Sequence, residues 1–138
     1  MRSHEIKTRI RYAETDQMGV VYHGNYVQFM EMGRTEWLRT LGISYKEMEE
    51  MGVMLPVISI QINYKKSAYY DEVLTVKTTL KKLPSVKIEF DYIILNESKE
   101  IITEANAVLA FINMETKRPM KCPAHLIEKL STIDFNAS

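Results

Sequence analysis

The residue best placed to do chemistry is Asp16, in the run Tyr12-Ala13-Glu14-Thr15-Asp16-Gln17-Met18-Gly19. Gly19 suits a turn that needs positive φ. Val20, Val21, Tyr22 and His23 then lead to Gly24-Asn25, where a helical pattern begins. A helix starting there presents free N–H groups and the positive end of its dipole. Such an end polarises a carbonyl oxygen or holds an anion. A carboxylate a few residues before it can act as base or nucleophile while the N–H groups stabilise an oxyanion, which is the equipment of acyl transfer. The ordinary alternative is a turn aspartate that bonds nearby backbone N–H groups, and on residue chemistry alone that use carries more weight.

Other candidates are weighed the same way. His23 either touches substrate and orients Asp16, or is a helix-start side chain with no chemical part. Glu31 is the rival acid, but Arg34 follows at i+3 and the two read as a structural pair. Lys65, Lys66, Lys81, Lys82, Lys87, Lys117, Arg118 and Lys121 could hold phosphates, although any one of them is more simply a solvated charge. Cys122 and His125 have metal-ligand spacing, but one cysteine and two other scattered histidines cannot complete a site. The chain has no Gly-x-Ser-x-Gly elbow, phosphate loop or dinucleotide fingerprint. No metal or cofactor is expected.

The elements that must position these groups follow from periodicity. From Asn25 to about Leu41 the polar residues Gln28, Glu31, Thr35 and Arg39 form one narrow helical stripe. The rest is largely apolar, which predicts a helix wrapped by other structure. Gly33 inside it predicts close approach of another backbone, and Gly42 predicts the stop. Glu5–Tyr12 alternates as a half-buried strand. Ser44-Tyr45-Lys46-Glu47 predicts a capping box opening a short helix to about Met51. Strands are predicted over Leu55–Lys65, Glu72–Leu83, Ser85–Leu95 and Ile101–Asn113, read as an antiparallel meander. Pro123 suits the first turn of a small helix ending near Leu130, and the tail after it is expected to fray.

The pattern Tyr12-x-x-x-Asp16-x-x-Gly19-Val20-Val21-Tyr22-His23-x-x-Tyr26, with Glu31 and Arg34 after it, closely resembles the hotdog-fold acyl-CoA thioesterases of the 4-hydroxybenzoyl-CoA thioesterase type. The nearer likeness is to the bacterial branch associated with the Tol-Pal system. It extends from about Lys7 to Leu130, beyond the motif mainly as a pattern of strands. The resemblance implies an α+β hotdog fold, a long central helix wrapped by a curved five-stranded antiparallel sheet. It implies Asp16 as the catalytic acid and the His23 N–H, with Gly24 beside it, facing the thioester oxygen. Tyr12 and Tyr26 become candidate substrate-binding residues, although core aromatics with satisfied hydroxyls remain the preferred use of both. Lys81 and Lys82 fall near where the family grips the nucleotide of coenzyme A; some members have arginines there. The implied substrate is an acyl-CoA, with an acyl-carrier-protein thioester as the other admissible form. The implied assembly is a homo-oligomer, dimers pairing into tetramers.

The bounds agree. The 138 residues make one domain, 1–138, large enough for a real core. Eighteen basic and eighteen acidic residues balance, so nothing global draws the chain to nucleic acid or anionic membrane. No apolar run is long enough to span a bilayer, the N-terminus lacks the apolar core of a signal peptide, and a single cysteine forms no internal disulfide. A cytoplasmic protein is expected, so the glycosylation patterns at Asn96 and Asn136 are set aside as chance. Two other functions stay in view: a hotdog dehydratase using His23 with Glu31, and a non-catalytic acyl-thioester-binding module.

Overall fold

The computed structural model describes residues 2–133 and Phe135. The Asn136 pattern and half of the tail expected to fray lie outside the described residues. The elements are β1 (Ser3–Arg9), a 3-10 turn (Tyr12–Glu14), α1 (Asn25–Thr40), α2 (Tyr45–Glu50), β2 (Val53–Met54), β3 (Val57–Tyr64), β4 (Val73–Leu80), β5 (Lys87–Leu95), β6 (Ile101–Ala110), β7 (Ile112–Asn113) and α3 (Ala124–Leu130). Five strands form one antiparallel sheet in the order β1-β4-β5-β6-β3, and β2 pairs with β7 in a separate ribbon.

This order corrects the predicted meander. β4, β5 and β6 do follow one another, but β3 pairs with β6 across the far edge and never meets β4. The connection over 65–72 runs back across the end of the sheet. Lys65 and Lys66 both donate their N–H to the Ile102 carbonyl, which turns the chain off β3 and into this crossover. β1 ends earlier than its alternation suggests. After Ile10, the Glu14 carboxylate accepts the Arg11 N–H at 2.7 Å and closes the 3-10 turn. Tyr12 is thereby lifted off the strand and is 77% exposed.

α1 has sixteen residues, about 24 Å of helix. It is neither long nor wrapped, which corrects the implied central helix. It packs on β1 and β4 and leaves Gln28, Glu31, Met32 and Arg39 exposed. The polar stripe, widened by Met32, stays open to solvent. The buried face carries Phe29, Met30, Trp37 and Leu38. The Trp37 ring meets Phe90 edge-on at 5.2 Å, and its N–H donates to the Arg2 carbonyl at 2.8 Å. Gly33 does mark a close approach, though to side chains rather than backbone. A Cβ there would stand 2.4 Å from Thr78 Oγ1 and 3.0 Å from Val76 Cγ1 of β4.

The stops are as predicted. Gly42 follows α1 with φ +75°, and Gly52 follows α2 with φ +85°. The Ser44 hydroxyl caps α2, accepting the Glu47 N–H at 3.1 Å. Strand β3, at the sheet edge, is the least covered element. Val57, Ile58, Ile60 and Tyr64 are all exposed on it.

Candidate active site

The Asp16 loop is a tight hairpin stitched on both sides. The Asp16 N–H donates to the Val20 carbonyl at 2.9 Å, and the Gly19 N–H returns to the Asp16 carbonyl at 3.0 Å. Gly19 holds φ +79°, the left-handed conformation this turn requires. Thr15 bridges Val21, and Val20 bridges Tyr69 of the crossover. The Val21 N–H donates to Ala68 at 2.8 Å. The Asp16 carboxylate accepts the Met18 N–H at 2.8 Å, so the turn-aspartate role exists here as well. That bond occupies one oxygen and fixes the carboxylate beside a cavity of about 420 Å³.

Asp16, Val20, His23, Tyr26, Tyr64 and Lys65 line this cavity. The Tyr22 N–H donates to the Glu14 carbonyl, the Asn25 N–H to Tyr22 and the Tyr26 N–H to His23. Among the described residues the N–H groups of His23 and Gly24 find no acceptor. Gly24 is the N-cap with no side-chain cap. The unsatisfied donors at the approach to the helix are therefore those of His23 and Gly24.

The His23 ring packs on Tyr22 at 4.4 Å and faces the edge of Tyr64 at 6.2 Å. The Tyr64 hydroxyl donates to the His23 carbonyl at 3.4 Å. Tyr26 is 3% exposed. Burial pushes its hydroxyl up to about 12, against the opposing effect of the Thr103 hydroxyl, so it is a neutral wall of the cavity. Tyr12 lies on the other side of the loop. With Tyr22 and Asn25 it borders a second hollow that Asp16 also reaches, and it meets Tyr70 edge-on at 5.7 Å.

Lys81 and Lys82 are not brought to this site. The site adjoins the start of β4, where Val73 pairs with Arg9, and Lys81 follows its other end, about eight strand residues or roughly 25 Å away. Lys81 donates to the Glu89 carboxylate at 3.3 Å. The cations that do reach the cavity are Lys65 and Lys66, and Lys66 is engaged by Glu100. Glu31 stays on the open face of α1 and does not line the cavity. Its expected pairing with Arg34 is absent. The Arg34 side chain turns inward, 5% exposed, and its Nε donates to the Tyr45 hydroxyl at 3.1 Å. Cys122 is buried in apolar surroundings that push its thiol up to about 12. Among the described residues no cluster of His, Cys, Asp and Glu could hold a metal ion.

Sequence reasoning missed the crossover: Ala68 and Tyr69 shape the Asp16 loop, and Ser67 lines the cavity. The alternation Ile58-Ile60-Ile62-Tyr64 already put Tyr64 on the apolar face, but nothing local tells where the chain goes next.

The chain is similar to known proteins over most of its length. The family model of the thioesterase-like superfamily matches residues 10–130. Bacillus subtilis (strain 168) YneP, described as a candidate acyl-CoA thioesterase, is 40% identical over 112 residues, covering 81% of each chain. The acyl-CoA thioesterase YbgC of Haemophilus influenzae is 30% identical over 116 residues, 83% of this chain and 85% of its own. The crystal structure of a DHNA-CoA thioesterase from Staphylococcus aureus superposes with a TM-score of 0.90 at 36% identity, over 96% of this chain and 91% of that one. The chain belongs to the thioesterase-like superfamily, and its antiparallel sheet with few helices is the hotdog-like thioesterase fold.

Proposed function

We infer that the protein hydrolyses acyl-CoA thioesters through the Asp16 loop and the start of α1. It is an acyl-CoA thioesterase, like the relatives it matches over most of its length. The observation that carries the site assignment is the meeting of three features in one cavity: Asp16, His23 with its unpaired N–H at the start of α1, and an aromatic wall from Tyr26 and Tyr64.

In this mechanism the thioester carbonyl oxygen points at the His23 and Gly24 N–H groups. Asp16 delivers the nucleophile, either its own oxygen to the carbonyl carbon or a water it deprotonates. Charge then builds on the carbonyl oxygen, where the helix start stabilises it. The C–S bond breaks; after water attack Asp16 returns the water's proton to the leaving thiolate, whereas after direct attack the thiolate is protonated by solvent and a water hydrolyses the Asp16 mixed anhydride to release the acid. A thioester is already activated, so an acid and oxyanion donors suffice.

The finer placement, in the 4-hydroxybenzoyl-CoA type and its Tol-Pal-associated branch, rests on the motif from Tyr12 to Tyr26. The working unit is one domain over 1–138, cytoplasmic and homo-oligomeric as a dimer or tetramer. The uncovered edge strand β3, with Ile58 half exposed at 50%, supports association. Among the described residues no helix is long and apolar enough to cross a membrane.

Thiol release from short, long and aromatic acyl-CoAs, with wild type beside Asp16→Asn, tests the assignment. The substitution keeps size and loses the carboxylate. The rate on the best substrate should fall by at least about 100-fold in a folded protein. Equal rates would remove Asp16 from the mechanism and turn attention to Glu31.

A further inference from the structure

The Asp16 loop and the helix start are joined by one side chain. The Asn25 amide donates from Nδ2 to the Glu14 carbonyl at 2.8 Å, across eleven residues of chain. The Tyr22 N–H reaches the same carbonyl at 2.9 Å. One oxygen thus receives both a backbone donor from the approach to the helix and a side-chain donor from its first residue. That oxygen is itself fixed. The Glu14 carboxylate is buried and accepts the Arg11 N–H at 2.7 Å and Arg11 Nη2 at 3.2 Å. Thr15, the next residue, bridges Val21, and Asp16 follows.

An asparagine at a helix start commonly serves its own helix by capping free N–H groups. Asn25 does not. Its amide points back to the loop, and the N-cap at Gly24 has no side-chain bond. The helix gains nothing local from this amide; the gap between loop and helix does. Asp16 and His23 line one cavity there, and the N–H groups of His23 and Gly24 find no acceptor among the described residues.

We propose that Asn25 is a positioning residue whose amide braces the start of α1 against the Asp16 loop and sets the distance between the carboxylate and the two oxyanion donors. The proposal rests on Asp16 being the acid.

The test measures kcat and KM by thiol release on the best acyl-CoA for wild type, Asn25→Ala, Asn25→Asp, Asp16→Asn and the double variant Asn25→Asp with Asp16→Asn, with thermal unfolding of each. Asn25→Asp keeps the shape, loses the donor and places a negative charge where the helix dipole favours it. A purely structural residue would lower the melting temperature and leave kcat of the folded protein near wild type. Loosening by a fraction of an ångström to 1 Å should lower kcat in both Asn25 variants by about 10- to 100-fold. KM should stay near wild type, and both variants should remain folded at the assay temperature. In the Asp16→Asn background the further loss should shrink to about twofold or less, because the group being positioned is gone. A wild-type kcat in Asn25→Asp beside a crippled Asp16→Asn overturns the brace alone. So does an undiminished loss in the double variant. A wild-type rate in Asp16→Asn overturns the acid assignment and the brace with it.

Discussion

Gly33→Ala tests how closely α1 is seated on the sheet. An alanine Cβ would lie 2.4 Å from Thr78 Oγ1 and 3.0 Å from Val76 Cγ1, both on β4. Ordinary contact needs about 3.5 Å or more between carbons, so α1 or β4 must shift by roughly 1 Å. Thr78 is fully buried and cannot swing into solvent. Overpacking of this kind costs about 1–3 kcal/mol. Better helix propensity returns about 1 kcal/mol of it. The net expectation is a loss of up to about 2 kcal/mol, or up to about 8 °C in Tm for a chain of this size. Urea unfolding at fixed protein concentration measures it. Thr78→Ala removes the atom struck first, so the double variant should show a favourable coupling of about 1 kcal/mol in a mutant cycle. Gly33→Ala at or above wild-type stability with an unchanged m-value would refute the close approach.

Further outcomes can be checked independently. Burial holds Tyr26 and Cys122 up to about 12, from ordinary values of 10.0 and 9.0. Folded protein therefore keeps protons that unfolded chain loses, and stability present below pH 9 should fall as pH rises from 9 toward 12. Cys122→Ala should flatten the lower part of that fall in urea midpoints measured across the range, and an identical slope would contradict the assignment. The same thiol should resist an aromatic disulfide reagent at pH 8 until denaturant is added, whereas immediate labelling of native protein would show it accessible. Ile58→Asp on β3 should convert the expected oligomer to a monomer in light scattering, and a wild type that is already monomeric would end that proposal.

Much of the fold was legible because local signals agreed with tertiary demand. Asn25 to Leu41 read as helix from its polar stripe, and Gly42 ended it as its positive φ allows. Ser44 capped α2 through Glu47 as the spacing implied. The strand order was not legible. Alternation tells which residues share a face but not which strand lies alongside, and 65–72 carries no pattern that distinguishes a hairpin from a crossover. The fate of Arg34 was hidden for a related reason. Glu31 at i−3 was the nearest partner in sequence, yet Tyr45 on the next helix offered a hydroxyl inside the protein. The motif named Asp16, His23 and Tyr26 in one short run, and the three line one cavity. Lys81 and Lys82 were chosen by position along the chain, and sheet geometry puts them at the far end of β4.

The stitching of Val20 and Val21 to Ala68 and Tyr69 also orders events in time. Residues 12–40 contain Asp16, the His23 and Gly24 N–H groups and the helix, and they are made before the crossover over 65–72. They lack the template that shapes the loop until the chain has passed Tyr69, and β1 has no partner until β4 emerges. Closing a loop of this span costs entropy before any contact rewards it. The Asp16 hairpin is therefore expected to set late in folding, after the crossover that templates it has been made. Cutting the chain within 65–72 should silence the site while leaving every residue of the motif in place.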